Sequence, residues 1–341
     1  MPRRRAEVIE LLPYIWFGVI GLGVIMYVLL DGFVLGIGII MPFVDNEDDR
    51  DLMMNTAAPI WDGNETWLVL GGAGLLAAFP RAYSLVLSAL YLPVILMLIA
   101  LIFRGVSFEF RFKAGRSRWL WGVSFMVGSI VAAFAQGVIL GAIVRGLPLE
   151  NGQYAGGPLD WFAPFTVMTG FALVCGYALL GATWVILKAE NGVQRLAFTF
   201  ARPLAMLVII FLVLVSVWMP VLHTQVLERW FTFPDALWLA PLPILVGVTS
   251  WLLWRSVQEG REVLPFLLSL ALFGLGYIGL LIGIWPHIVP PDLSIEEAAA
   301  HPSSQGFTLI GLAILLPVIL GYSAWSYWVF RGKVTRDTGY H

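Results

Sequence analysis

Long apolar runs follow one another along almost the whole chain, separated by short stretches of charge, proline and glycine. A helix crosses the hydrocarbon core of a bilayer with about 20 consecutive apolar residues. Bounding the runs by their polar punctuation predicts helices over 11–41, 52–79, 82–104, 119–145, 161–187, 198–222, 237–255, 263–285 and 307–330. The expected fold class is therefore all-α and integral to the membrane, with about nine transmembrane helices in a single polytopic domain over 1–341. Trp16-Phe17 and Trp161-Phe162 open runs of similar length, which suggests two four-helix bundles plus one peripheral helix.

Two runs break their own pattern. Asp31 lies deep in the first, and the first half of the second carries Asn55, Thr56, Asp62, Asn64, Glu65 and Thr66. An ionisable group in a span is costly enough to face the protein interior, a partner group or water, so this half-helix does not face lipid. Asp62 and Glu65 are three residues apart and fall on adjoining turns of one helical face. At a rise of about 1.5 Å per residue, Asp31 and Asp62 are each expected roughly 15 Å from the cytoplasmic ends of their helices, level with one another. Asp31, Asp62 and Glu65 are the candidate proton-transfer or ion-binding residues, opening near the acidic run Asp45 to Asp51. That run alone reads as a solvated turn at a helix N-terminus, where negative charge is favoured. Pro59 is expected to kink the second helix, and Gly63 to admit a close neighbour.

Composition then narrows the class. Apolar residues make up 59% of the 341 positions and charged residues 12%, about half the share usual in soluble domains. The net charge of −2 and the scattered basic residues leave no nucleic-acid footprint. Cys175 is the only cysteine, which excludes an intrachain disulfide and a cysteine-held cluster. Arg3, Arg4 and Arg5 precede an apolar run with no small-residue cleavage site, so it is read as a retained first helix. With alternating spans, fourteen Lys and Arg fall on the C-terminal side and six on the other, which predicts an external N-terminus and a cytoplasmic C-terminus. Arg104 to Arg118 counts here as a basic cytoplasmic anchor, with Glu109 a further proton carrier beside it. The outer loop from Pro286 to Gln305 contains Ser294 and Glu297 at capping-box spacing.

Haem in a membrane is usually held by His or Met from within helices. His223 and His287 close helices, His301 is in the outer loop and His341 is terminal, so no cofactor is assigned to this chain. Met97, Met126, Met168 and Met206 read as packing, and Trp119, Trp230 and Trp285 as interface anchors.

The stretches DGFVLGIGI from Asp31, NTAAPIWDGNETWLVLGG from Asn55, SALYLPVILMLIALIFRGVSFEFR from Ser88, IVPPDLSIEEAA from Ile288 and GYSAWSYWVFRGKV from Gly321 resemble subunit II of the cytochrome bd-type quinol oxidases. The FRGVSFEFRFKA form and the short chain look more like the cyanide-insensitive branch. The resemblance spans the chain and implies nine helices in the bacterial inner membrane, paired with a subunit I that holds the quinol site and three haems, two of b type and one of d or b type. It implies quinol oxidation with reduction of oxygen to water, protons drawn from the cytoplasm, and a role for subunit II in assembly. Asp62 is then similar to an element of a proton path along the subunit interface, and Trp67 to a residue near an apolar oxygen route. Trp61 and Trp67 become candidate oxygen or quinone contacts. A quinone bound by this chain and small single-helix subunits beside it stay open. The family commonly has a second acid where this chain has Val34, so no role of that acid carries over. The alternative reading is an ion-coupled secondary transporter using Asp31, Asp62 and Glu65.

Overall fold

A computed structural model describes residues 2–222, 230 and 232–335, with side chains from residue 9 onward. His223, Arg229, Arg336 and His341 lie outside the described residues, as do the side chains of Arg3, Arg4 and Arg5.

The first apolar run forms two helices, α1 (Pro2–Leu30) and α2 (Gly32–Ile40), and not the single helix expected. Asp31 stands at the junction with φ −87° and ψ −23°. Its amide donates to the Tyr27 carbonyl at 2.8 Å and its carbonyl accepts from Leu35 at 2.9 Å, so the chain turns there without stopping. A short 3-10 turn, Met41–Phe43, follows.

The second run is also divided, into α3 (Glu47–Asn55) and α4 (Trp61–Ala78). The cause is local: Pro59 has no amide proton and disfavours helical torsions in the residue before it. The chain therefore turns through residues 56–60, where the Ala58 amide returns to Met54 and the Trp61 amide to Ala57. Asp62 consequently sits in the first turn of α4, not ten residues up a continuous helix.

Phe79 alone separates α4 from α5 (Pro80–Phe110), which kinks at Leu90 (φ −121°, ψ 18°), three residues before Pro93. The third helix thus runs six residues past its expected end at Arg104, and takes in Arg104 to Phe110 of the stretch read as a basic anchor. Next come α6 (Arg118–Arg145), a small hairpin of β1 (Leu149–Glu150) and β2 (Gln153–Tyr154), α7 (Pro164–Lys188) and α8 (Asn191–Leu222). The chain continues through α9 (Asp235–Leu239), α10 (Pro241–Gln258) and α11 (Leu264–Ile284). A second hairpin, β3 (His287–Val289) with β4 (Leu293–Ser294), leads to the one-turn α12 (Ile295–Ala298) and to α13 (Pro302–Val329).

Among the described residues eight helical segments are long and apolar enough to cross a membrane. The ninth expected span, α4, lies between them, and its polar first half keeps it below that hydropathy. One group of four spans comprises α1 with α2, α4, α5 and α6; the other comprises α7, α8, α10 and α11. They meet where α7 packs on α2 and α6, and α13 leans on α4 and α1. The α2–α7 contact is backbone to backbone: a Cβ on Gly36 would lie 1.8 Å from the Tyr177 carbonyl oxygen, and one on Gly181 2.3 Å from the Gly36 carbonyl carbon.

At one end of the bundle Gln305 ties three elements, donating to the Ala78 carbonyl at 3.1 Å and accepting from Trp16 Nε1 at 3.1 Å. The capping box expected at Ser294 and Glu297 is formed there, with both of its reciprocal bonds. At the other end buried Lys188 donates to the carbonyls of Phe330 and Gly332, the latter at 2.6 Å, and so holds the end of α13 against α7.

Candidate functional site

The polar groups of the first two runs meet inside the bundle, and a third helix supplies the residue that joins them. Asp31 and Arg104 are both fully buried and form an ion pair through Asp31 Oδ2 and Arg104 Nη2. Arg104 Nη1 lies 3.4 Å from Glu65 Oε1, whose side chain is 31% exposed. One guanidinium thus bridges two carboxylates from α4 and the α1–α2 junction. Asp62 stands outside this pairing, exposed on the surface of α4 one turn earlier. The structure therefore brings Asp31 and Glu65 to one cation and leaves Asp62 beside them on the outer face.

Asn64 keeps the two segments level. Its Nδ2 donates to the Leu30 carbonyl at 2.8 Å, and its Oδ1 accepts from the Tyr327 hydroxyl of α13 at 3.0 Å. Gly63 faces the Tyr322 ring, 3.2 Å from where a Cβ would be, so its missing side chain makes room for α13.

The two tryptophans of WDGNETW lie on different faces of α4. Trp61 is half-buried and stacks on Phe108, with centroids 5.1 Å apart and planes 7° from parallel. The Arg104 guanidinium sits 5.8 Å from its ring centroid, within the range of a cation–π contact. Gly105 permits this stacking, since a Cβ there would touch Trp61 at 3.1 Å. Trp67 is fully buried, its Nε1 without a hydrogen-bond partner among the described residues. They do not form one site.

Arg104 was counted as a topology marker because it closes an apolar run. The signal that marks it is periodicity: Arg104, Ser107, Phe108 and Arg111 follow at i, i+3, i+4 and i+7 and are all buried. Arg111 joins a second cluster at the bundle end. It donates to Glu47 at 2.6 Å and to Asp51 at 3.1 Å, while Arg118 also pairs with Asp51 and Arg50 with Glu47. Burial pushes the Glu47 carboxyl up, but the bonds from Arg111 and the charge of Arg50 outweigh it, so Glu47 ends below the usual carboxylate range. Asn46 caps α3 and three acids occupy its first turn. The acidic run is thus a helix start pinned to two arginines of the neighbouring helices, not a freely solvated turn. Glu109 is exposed and 3.4 Å from Lys113, one turn away on the same stretch.

Two of the four histidines, His287 and His301, are among the described residues. His287 lies on the β3–β4 hairpin, and His301 caps α13 with its Nδ1 2.8 Å from the Ser303 hydroxyl.

A family model described as cytochrome bd terminal oxidase subunit II matches residues 12–330. The chain belongs to that family. As a subunit II of a cytochrome bd oxidase it is part of an oxidoreductase complex in which a subunit I is its partner, and it is a multi-pass membrane protein of the bacterial inner membrane. It is similar to cytochrome bd-I ubiquinol oxidase subunit 2 of Escherichia coli strain K12, 26% identical over 96% of each chain. It is also similar to cytochrome bd ubiquinol oxidase subunit 2 of Bacillus subtilis strain 168, 27% identical over 94% of this chain and 96% of the relative. The bd oxidase of Geobacillus thermodenitrificans shares the fold, with a TM-score of 0.75 at 18% identity, covering 93% of this chain and 98% of that one.

Proposed function

We propose that this chain is the haem-free subunit II of a quinol:oxygen oxidoreductase, that it supports assembly of the haem-bearing subunit I, and that it contributes a proton path opening to the cytoplasm. The relatives named as ubiquinol oxidase subunits support the substrate. The observation that carries the proton path is the buried cluster of Asp31, Arg104 and Glu65, with Glu65 partly exposed and Asp62 exposed on the same helix. Carboxylates on the outer face of a spanning helix cannot be left to lipid, so a second membrane chain covers them, and the path runs along that contact. Glu65 Oε1, Arg104 Nε and Arg104 Nη1 are buried without a hydrogen-bond partner among the described residues. Buried donors and acceptors that converge in this way are those that ordered water satisfies.

The acidic end of the bundle, where Glu47 and Asp51 gather, is the cytoplasmic side in this reading, with the N-terminus external. Trp61, half-buried beside Glu65, is the residue placed to meet a quinone or oxygen at the partner interface, whereas Trp67 is inside the chain. The transporter alternative has Arg104 against it, because the guanidinium stands between Asp31 and Glu65 where a coupling cation would bind.

The test is oxygen consumption by the purified complex. Asp62→Asn and Glu65→Gln are expected to slow turnover about tenfold or more, in line with the loss of a positioned proton-transfer group, while haem content stays at the parent level. Full turnover with unchanged pH dependence in both variants would refute the path. A colourless stable monomer, purified without a haem-bearing chain, would refute the subunit assignment.

A further inference from the structure

A chain of polar side chains crosses from α7 through α6 to α1 and leads to Asp31, with both of its tyrosines buried and Gln136 partly so. Tyr177 of α7 donates to Gln136 Oε1 of α6 at 2.8 Å, and Gln136 Nε2 donates to the Tyr27 hydroxyl of α1 at 2.8 Å. Tyr27 is 4% exposed and Tyr177 fully buried. Tyr27 is one turn before Asp31 and its hydroxyl lies beside the carboxylate. A phenol both donates and accepts, whereas a carboxylate only accepts. The Tyr27 oxygen already accepts from Gln136, so its own proton is free for another acceptor. Asp31 Oδ2 takes Arg104, and Asp31 Oδ1 is the buried acceptor still unmatched among the described residues. Reversing the Gln136 amide would turn the Tyr27 proton away from the carboxylate and set two lone-pair surfaces face to face. Asp31 therefore selects the direction of the whole chain.

The far end is closed. Tyr177 packs against Gly32 and Gly36 and stacks on Phe273, with centroids 6.0 Å apart. A relay that ends in apolar packing does not carry protons across the bundle; it orients its open end. The other groups facing Asp31 are Arg104 of α5, Glu65 of α4 and Tyr327 of α13. Only Arg104 among them is a cation.

We infer that Tyr27, held by Gln136 and Tyr177, is a positioning residue that gives Asp31 its second hydrogen bond and, with Arg104, holds Asp31 as a carboxylate at neutral pH, leaving Glu65 as the carboxyl of the cluster that takes up and releases protons. The last clause rests on the proton-path reading; the state of Asp31 does not. The test is infrared spectroscopy of the whole haem-bearing complex at neutral pH, which separates carboxylic acid from carboxylate, with haem content as the control for assembly. The parent is expected to show no acid carbonyl band that disappears in Asp31→Asn. Tyr27→Phe is expected to gain such a band, and Tyr27→Phe with Asp31→Asn to lose it again. Gln136→Leu, which frees Tyr27 to turn, is expected to give the same gain and serves if Tyr27→Phe does not assemble. An Asp31 acid band in the parent, or none in either assembled variant, would overturn the inference. If the bands follow expectation while Glu65→Gln keeps full turnover, the positioning of Asp31 stands and the proton path falls.

Discussion

Removing Arg104 tests whether the buried cluster holds the bundle together or is merely tolerated by it. Both members of the Asp31–Arg104 pair are fully buried, so water screens neither. Two unit charges at about 4 Å interact by about 4 kcal/mol at an effective dielectric of 20. Deleting one partner of a buried pair commonly costs about 3–5 kcal/mol, because the other is left uncompensated. Glu65, partly exposed and at 3.4 Å, adds about 1 kcal/mol or less once screening is allowed for. Arg104→Gln and Asp31→Asn should therefore each be strongly destabilising, and the double variant far less so than their sum. A coupling of about 2 kcal/mol or more is expected. The assay is the half-life of the monodisperse, haem-retaining complex at one elevated temperature, since membrane complexes unfold irreversibly and rates are the measurable quantity. A coupling of that size, expressed in the barrier, is about a 30-fold departure from multiplicative half-lives. Single variants within about threefold of the parent, with effects that multiply in the double, would refute the pairing as a source of stability.

Two further outcomes follow from the packing and the end cluster. Gly36→Ala must displace the backbone of α7, because its Cβ meets the Tyr177 carbonyl, and should abolish recovery of the complex. Gly274→Ala, with open space around it, should be recovered at the parent level, and equal yields of the two would refute the close α2–α7 contact. Glu47 is held below the usual carboxylate range, burial opposing and Arg111 with Arg50 prevailing, so its contribution is present at neutral pH and fades as pH falls through that lowered value. Glu47→Gln should then be less stable than the parent near pH 7 and approach it in acid, and a stability gap that widens on acidification would contradict this sign.

What the sequence shows and hides follows from what each residue has to satisfy. The apolar runs announce spans because lipid imposes their length, and Asp31 announces itself because it is a charge among them. Pro59 was visible as a kink, but the full break over residues 56–60 depended on how Thr56 and Ala58 could return their bonds to the preceding turn. That is settled only in three dimensions. Arg104 was the larger miss. Single-residue hydropathy treats it as the end of a helix, and only its partner 73 residues earlier in the chain, Asp31, makes it an interior residue. Asn64 was legible as an oddly placed polar group, but its task of joining the Leu30 carbonyl to Tyr327 links three distant segments. Asp62 and Glu65 were grouped by spacing, and the fold separates them by exposure.

The polar start of α4 also bears on how the chain enters the membrane. Trp61–Ala78 falls below the hydropathy of the other eight spans, and the acids Asp62 and Glu65 at its start weigh against its insertion as an isolated segment. Phe79 is the sole residue between it and the strongly apolar α5. During biogenesis the two helices are therefore committed to the bilayer as a hairpin, with α5 drawing α4 in before Asp31 and Arg104 have closed around Glu65.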